Sequence, residues 1–252
     1  MGLDYVSVAE AREQRGLRLV LTAGFPGPWG EAAKALFRLR GVPFAPVAQK
    51  AMKPNEELVA WTGVRNAPVA VYEDEPPRTG WLEILLLAER LGSGPSLLPD
   101  DPVERALALG FSCEICGPEG LGWTRRLEIM AMSTGADPND PIRRDYGVRP
   151  EAAAQAPART AAILRGLSEQ LRRQRERGSE YLVGPRVSAC DVHWACFSQM
   201  VDPFPPEVSP MRSGVRSVYE NLSEEAKAAL DPALIRHRDM ILERHIGVPL
   251  VF

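Results

Sequence analysis

The sequence lacks any run of about 18 apolar residues, so it offers no membrane-spanning helix. Its first twenty residues, MGLDYVSVAEAREQRGLRLV, mix charges with short apolar pieces and match no secretory signal, which predicts a cytosolic chain with no membrane partner. Net charge is small, formally -3 at pH 7, and the basic residues are scattered, so the electrostatic footprint of a nucleic-acid binder is missing. A small neutral or mildly anionic ligand suits such a surface better. Cysteine is scarce: four in 252 residues make no disulfide framework, in keeping with a reducing compartment. What remains, 45% hydrophobic and 25% charged residues, is the composition of a soluble globular protein long enough for one large domain or two ordinary ones.

Periodicity changes near residue 95. LRLVLT (17–22) reads as a buried strand, and PWGEAAKALFRLRG (28–41) as a helix with Ala32, Leu36 and Leu39 on one face, proline in its first turn and Gly41 as its stop. VPFAPVAQ (42–49) reads as a second strand, NEELVAW (55–61) as a short helix and APVAVYE (67–73) as a third strand. TGWLEILLLAERLG (79–92) reads as a helix after a short fourth strand or turn. The order βαβαββα predicts a small mixed sheet flanked by helices over residues 1–92, with 1–16 as an N-terminal extension. A turn-rich linker at 93–100 leads into an all-helical domain at 101–252, marked by ERALALGFSCEI (104–115), a long arm at 151–178, ACDVHWACFSQM (189–200) and HRDMILERHIG (237–247).

Some candidate groups have a structural explanation. Ser188 and Asp191 have capping-box spacing: the hydroxyl is expected to accept from the Asp191 N–H while the carboxylate reaches back to the Ser188 N–H. Cys190, His193 and Cys196 recur every three residues on one helix, but no fourth ligand has suitable spacing and Val192, Trp194 and Phe197 around them read as core, so no metal is expected. Cys113 and Cys116 form a Cys-x-x-Cys away from any strand-helix turn and read as buried structural thiols. His237 and His245 lie in a charged final helix and read as surface residues.

Three stretches resemble the cytosolic glutathione transferases. GPWGEAAKALFRLRGVPF (27–44) is similar to that family's first helix and second strand. NAPVAVYEDE (66–75), with the helix ending LLLAERLG, is similar to the strand after its cis-proline. YLVGPRVSACDVHWA (181–195) is close to its Leu-Val-Gly, turn, Ser-x-x-Asp segment. The resemblance implies a thioredoxin-like domain followed by a helical domain, a homodimer, glutathione as co-substrate and a small hydrophobic electrophile as the other substrate. It also implies that Ala67 pairs with the cysteinyl part of the tripeptide, with Pro68 in cis, and that Lys53 either meets the glycyl carboxylate or is a solvated lysine. Phe111, Trp123 and Met130 either contact the electrophile or pack in the core.

Two positions depart from the pattern. Thr79 and Gly80 stand where an acid and a serine usually hold the γ-glutamyl group; Glu83 then either takes the ligand's ammonium or faces solvent. Gly27 stands where a catalytic serine or cysteine usually precedes the proline, which excludes a mixed disulfide at that position. Lowering a thiol of pKa about 8.5 by about two units takes roughly 2.7 kcal/mol, more than the roughly 0.3 to 2 kcal/mol of a helix dipole. The N–H groups of Trp29 and Gly30, the Trp29 indole or the Thr22 hydroxyl must then supply the rest; the alternative is a glutathione-binding module with weak or no catalysis.

Overall fold

The computed structural model describes residues 2–132, 150–211 and 213–252. Its first half is built on a sheet of β1 (Leu17–Thr22), β2 (Ala45–Gln49) and β3 (Val69–Tyr72) in the order β2-β1-β3, with β2 parallel and β3 antiparallel to β1. Where a short fourth strand or turn is expected, the chain makes one bridge, in which Ala70 and Arg78 exchange backbone hydrogen bonds. The two prolines at 76 and 77 explain the shortness, because neither can donate to a ladder.

One sheet face carries Leu17, Leu19 and Leu21 onto α2 (Pro28–Leu39) and α4 (Trp81–Leu91), whose Leu36, Phe37, Ile84 and Leu85 are almost fully buried. The other face packs Val20, Val47, Val69 and Val71 against α3 (Glu56–Thr62) and against α1 (Val8–Glu13), which lies in the N-terminal extension. Ser7 and Glu10 cap α1 reciprocally, and Val6 pairs with β2 beside Val47. The extension is therefore part of the folded sheet layer.

Among the described residues, the regular elements of the second half are helical: α5 (Pro102–Cys116), α6 (Leu121–Met132), α7 (Pro150–Glu176), α8 (Ala189–Phe197), α9 (Ser213–Glu220), α10 (Glu224–Ala229) and α11 (Pro232–Ile241). No helix among the described residues is long and apolar enough to cross a membrane. Every residue of α8 is buried, and α8 packs on α2, α5 and α11. The core of α2 thus runs without a break into the helical half. Polar ties cross the same seam: Gln199 donates to the Pro26 carbonyl at 2.9 Å, and Lys34 donates to the Val251 carbonyl.

Asp191 closes the start of α8. Its Oδ2 accepts from the Ser188 N–H at 2.8 Å and the Ser188 hydroxyl at 2.7 Å; its Oδ1 accepts from the Leu182 N–H at 2.7 Å and lies 2.9 Å from His237 Nε2. The return arm of the capping box is as expected, but the Ser188 hydroxyl donates to the carboxylate instead of accepting from a backbone amide. His237 also departs from expectation: it is buried, because Asp191 needs a fourth partner in a site shut off from water.

Candidate functional site

Between the sheet and α5–α6 lies a groove of about 600 Å³, with the start of α2 on its floor. Gly27 caps α2 with no side chain, Pro28 is its first residue, and the N–H groups of Trp29 and Gly30 have no partner among the described residues. A helix start left this way presents donors and the positive dipole end to whatever occupies the space beside it. A side chain is not sterically excluded at residue 27: an added Cβ would meet the Phe25 ring at an ordinary 3.5 Å.

Two expected side-chain donors are already committed. The Thr22 hydroxyl donates to Gln49 Oε1 at 2.8 Å, and the Trp29 indole donates to the Cys116 carbonyl at 3.1 Å. A third hydroxyl, absent from the sequence reading, stands nearby. Tyr5, from the N-terminal extension, lines a side cavity of about 60 Å³ shared with Gly27, Trp29, Gly30 and Glu31. Its oxygen is shut from solvent with no hydrogen-bond partner among the described residues, and burial, followed by the Glu31 charge, pushes its pKa up to about 12. Beneath it, Glu31 and Lys34 form a buried pair at 2.7 Å; burial raises the carboxyl and lowers the ammonium from their ordinary values.

Aromatic rings wall the groove. Trp29 meets Phe197 and Trp123 edge to face at centroid distances of 4.7 and 5.6 Å, and the Arg126 guanidinium lies 4.7 Å from the Trp29 ring centre. Gly122 is the residue that lets these rings meet, since a Cβ there would stand 2.5 Å from Phe197 and 2.7 Å from Trp29. Lys53, Arg65 and Arg126 line the groove, while no carboxylate does among the described residues.

Ala67, Pro68, Thr79 and Gly80 form the opposite wall, and the Ala67–Pro68 bond is cis. The Ala67 backbone lies outside the β-ladder and carries no backbone hydrogen bond among the described residues. The N–H groups of Thr79 and Gly80 are occupied: Glu83 Oε2 accepts from them at 3.1 and 2.9 Å, capping its own helix. Of the three residues left between electrophile contact and core packing, Trp123 and Met130 line the groove and Phe111 packs against the core. Cys116 also lines the groove, and Cys113 is exposed, so the expectation of two buried thiols holds for one. His193 is buried beside Ser112, at 2.9 Å between Nδ1 and Oγ, and burial lowers its pKa to about 3.

A larger hollow, about 800 Å³, lies along α7 near Arg165 and Arg172. There Arg172 pairs with Glu169 and Glu176 on its own helix, and hydrogen bonds from Arg172 and Arg173 hold Glu169 at a pKa of about 2.

No family model matches the chain. Over 90 residues, 35% of this chain and 38% of the relative, it is 24% identical to glutathione S-transferase U9 of Arabidopsis thaliana, so the match spans well under half of that relative's length. Among solved structures, a glutathione S-transferase from Methylobacterium radiotolerans in complex with glutathione sulfonate superposes with a TM-score of 0.64 at 16% identity, covering 94% of this chain and 96% of the other. One from Methylobacillus flagellatus with glutathione bound gives 0.64 at 13% identity, covering 91% and 96%. Along nearly its whole length, this chain has the two-domain fold of the glutathione S-transferase superfamily.

Proposed function

We propose that the chain is a glutathione transferase that holds the tripeptide along the sheet edge at Ala67 and Pro68 and conjugates its thiolate to a small hydrophobic electrophile, or transfers it in a related reaction. The observation that carries this reading is the uncapped start of α2, where Trp29 and Gly30, whose amides have no partner among the described residues, line a side cavity next to a groove that Trp29 shares and whose charged lining is cationic among the described residues. Glutathione carries two carboxylates and one ammonium, and Lys53 and Arg65 suit its anionic ends. Glu83 offers the ammonium its second oxygen, the first being held by the Thr79 and Gly80 amides.

The sulfur would lie at Trp29 and Gly30. A hydrogen bond to a charged acceptor contributes about 1.5–3 kcal/mol, so two amides together with the dipole can reach the roughly 2.7 kcal/mol that a two-unit shift requires. The Tyr5 hydroxyl, kept protonated by its burial, is the side-chain donor available in place of the missing one at residue 27. Trp29, Trp123 and Met130 would hold the electrophile against the sulfur, so the mechanism is proximity plus thiolate stabilisation. The cytosol as location and a homodimer, formed through exposed apolar residues such as Leu82 and Leu86 of α4 and Val103 and Leu107 of α5, belong to the same proposal.

A second reading is favoured by Gly27 and by the Thr79 and Gly80 amides that Glu83 fills: a glutathione-binding module without strong catalysis. Calorimetric titration with glutathione, paired with conjugation of a generic aromatic electrophile, separates the two. Binding with a rate well above buffer is the expected result; binding with no such rate favours the module, and no binding removes both.

A further inference from the structure

Cys113 and Cys116 have no task in thiol conjugation, yet Cys116 stands at the wall of the groove and Cys113 lies three residues before it on the same helix. Both lie in the last turn of α5, where residues three apart have Cα atoms about 5 Å from one another by helix geometry. That separation falls inside the roughly 4.4–6.8 Å range bridged by disulfides. Cys113 is exposed and Cys116 is buried. The Cys113 sulfur folds toward the helix end, so that a Cβ on Gly117, the residue after Cys116, would stand only 2.8 Å from it. Closing the bond needs the Cβ atoms to move from the helical spacing of about 5–6 Å to about 3.5–4.5 Å. The helix end allows this, because Gly117 already leaves the helix in an extended conformation and Gly120 follows within three residues.

The groove would register such a movement. The Cys116 thiol rests 2.9 Å from the Ser112 carbonyl, and the Cys116 carbonyl receives the Trp29 indole at 3.1 Å. Rearranging the last turn of α5 therefore pulls on the ring that covers the start of α2.

We propose that Cys113 and Cys116 are a thiol pair oxidised by small disulfides such as glutathione disulfide, and that their closure resets the groove wall at Trp29. The exposed Cys113, as its thiolate, attacks one sulfur of the disulfide; that S–S bond breaks, a mixed disulfide forms on Cys113, and one thiolate leaves. Cys116 then loses its proton to a departing thiolate and attacks the Cys113 sulfur, forming the Cys113–Cys116 bond and expelling the second thiol. One small disulfide is reduced to two thiols, and two protein thiols are oxidised to one disulfide. Burial pushes the Cys116 thiol well above its ordinary value, which suits a resolving thiol that waits until a mixed disulfide stands beside it. The pair lies at the carbonyl end of its helix, the end that repels an anion, which suits slow oxidation by accumulated disulfide and not rapid turnover. Cys190 and Cys196 are fully buried and should remain reduced.

The test treats the full chain with glutathione disulfide, traps remaining thiols by alkylation after unfolding, and maps the peptides by mass. The expected result is an intramolecular link between Cys113 and Cys116 accompanied by a change in tryptophan emission. Cys116→Ser should stop as a stable mixed disulfide on Cys113, and Cys113→Ser should be oxidised at least about tenfold more slowly, with no change in emission. The proposal is overturned if wild type stops at the mixed disulfide, if Cys113→Ser reacts as fast as wild type, or if neither thiol is consumed. Repeating the reaction with bis(2-hydroxyethyl) disulfide, which has no glutamyl or glycyl group, keeps this outcome apart from the glutathione reading. Closure with that reagent in a chain that binds no glutathione would support the pair and remove only the transferase.

Discussion

Two helix starts in this molecule solve the same problem in opposite ways. At α8, the Asp191 carboxylate accepts from three donors and faces His237, all of it buried, so nothing there is left for a ligand. At α2, Gly27 offers no cap, Pro28 has no N–H, and Trp29 and Gly30, whose amides have no partner among the described residues, line a small cavity beside the groove. The start of α4 stands between them, its amides held by an exposed Glu83 that solvent or a ligand can reach. A helix start sealed by side chains is a folding device; one left open within a cavity is a place for an anion. The missing hydroxyl at residue 27 is thus consistent with a site built from backbone donors and a hydroxyl delivered from the N-terminal extension.

The contrast can be tested by opening what is closed. Asp191→Asn should cost about 3–5 kcal/mol of stability by unpairing buried donors, while glutathione affinity of the folded fraction stays unchanged. Urea midpoints and calorimetry read the two effects separately.

His193, on the sealed helix, gives a pH signature of that closure. Its folded pKa of about 3 lies below the unfolded value near 6.5, so the unfolded chain gains protons first on acidification, and stability is lost as pH falls from 6.5 toward 3. From pH 7 to pH 5 this one group should account for about 2 kcal/mol, and His193→Gln should remove that share of the slope.

Glu83→Gln leaves an oxygen to cap α4 but removes the exposed carboxylate charge held beside Thr79 and Gly80 at the groove's edge; glutathione affinity should fall about fivefold, near the 1 kcal/mol of an exposed ion pair. The smallest effect on stability is Gly27→Ser, a few tenths of a kcal/mol, because glycine is itself a tolerated N-cap. Its value is chemical: an added hydroxyl beside Trp29 should lower the bound thiol's pKa further, and an unchanged value would place the sulfur elsewhere.

Much of this architecture was legible in the sequence because it rests on local signals. The strand β1 stands out because Leu17, Leu19, Val20 and Leu21 cluster between Gly16 and a turn, and the Asp191 arm of the α8 cap follows from spacing alone. What the sequence hid depends on distant partners. Tyr5 gains meaning only because Val6 pairs with β2 and so aims its neighbour at the cavity beneath α2. His237 looks like a surface residue until Asp191, 46 positions earlier, is seen to face it. Arg126 shares a helix with Trp123 and Met130, but its place over the Trp29 ring comes from tertiary contacts between side chains far apart in sequence, which no periodicity reveals.

The most direct test follows the ultraviolet absorbance of the thiolate of glutathione bound to the chain as pH is raised, in wild type and in Tyr5→Phe. The account predicts a bound-thiol pKa about one to two units below the free value near 8.5, moving back toward it in the variant while the affinity of the tripeptide holds. A bound thiol that titrates at the free value in wild type would contradict the claim that the open start of α2 is built to hold a thiolate.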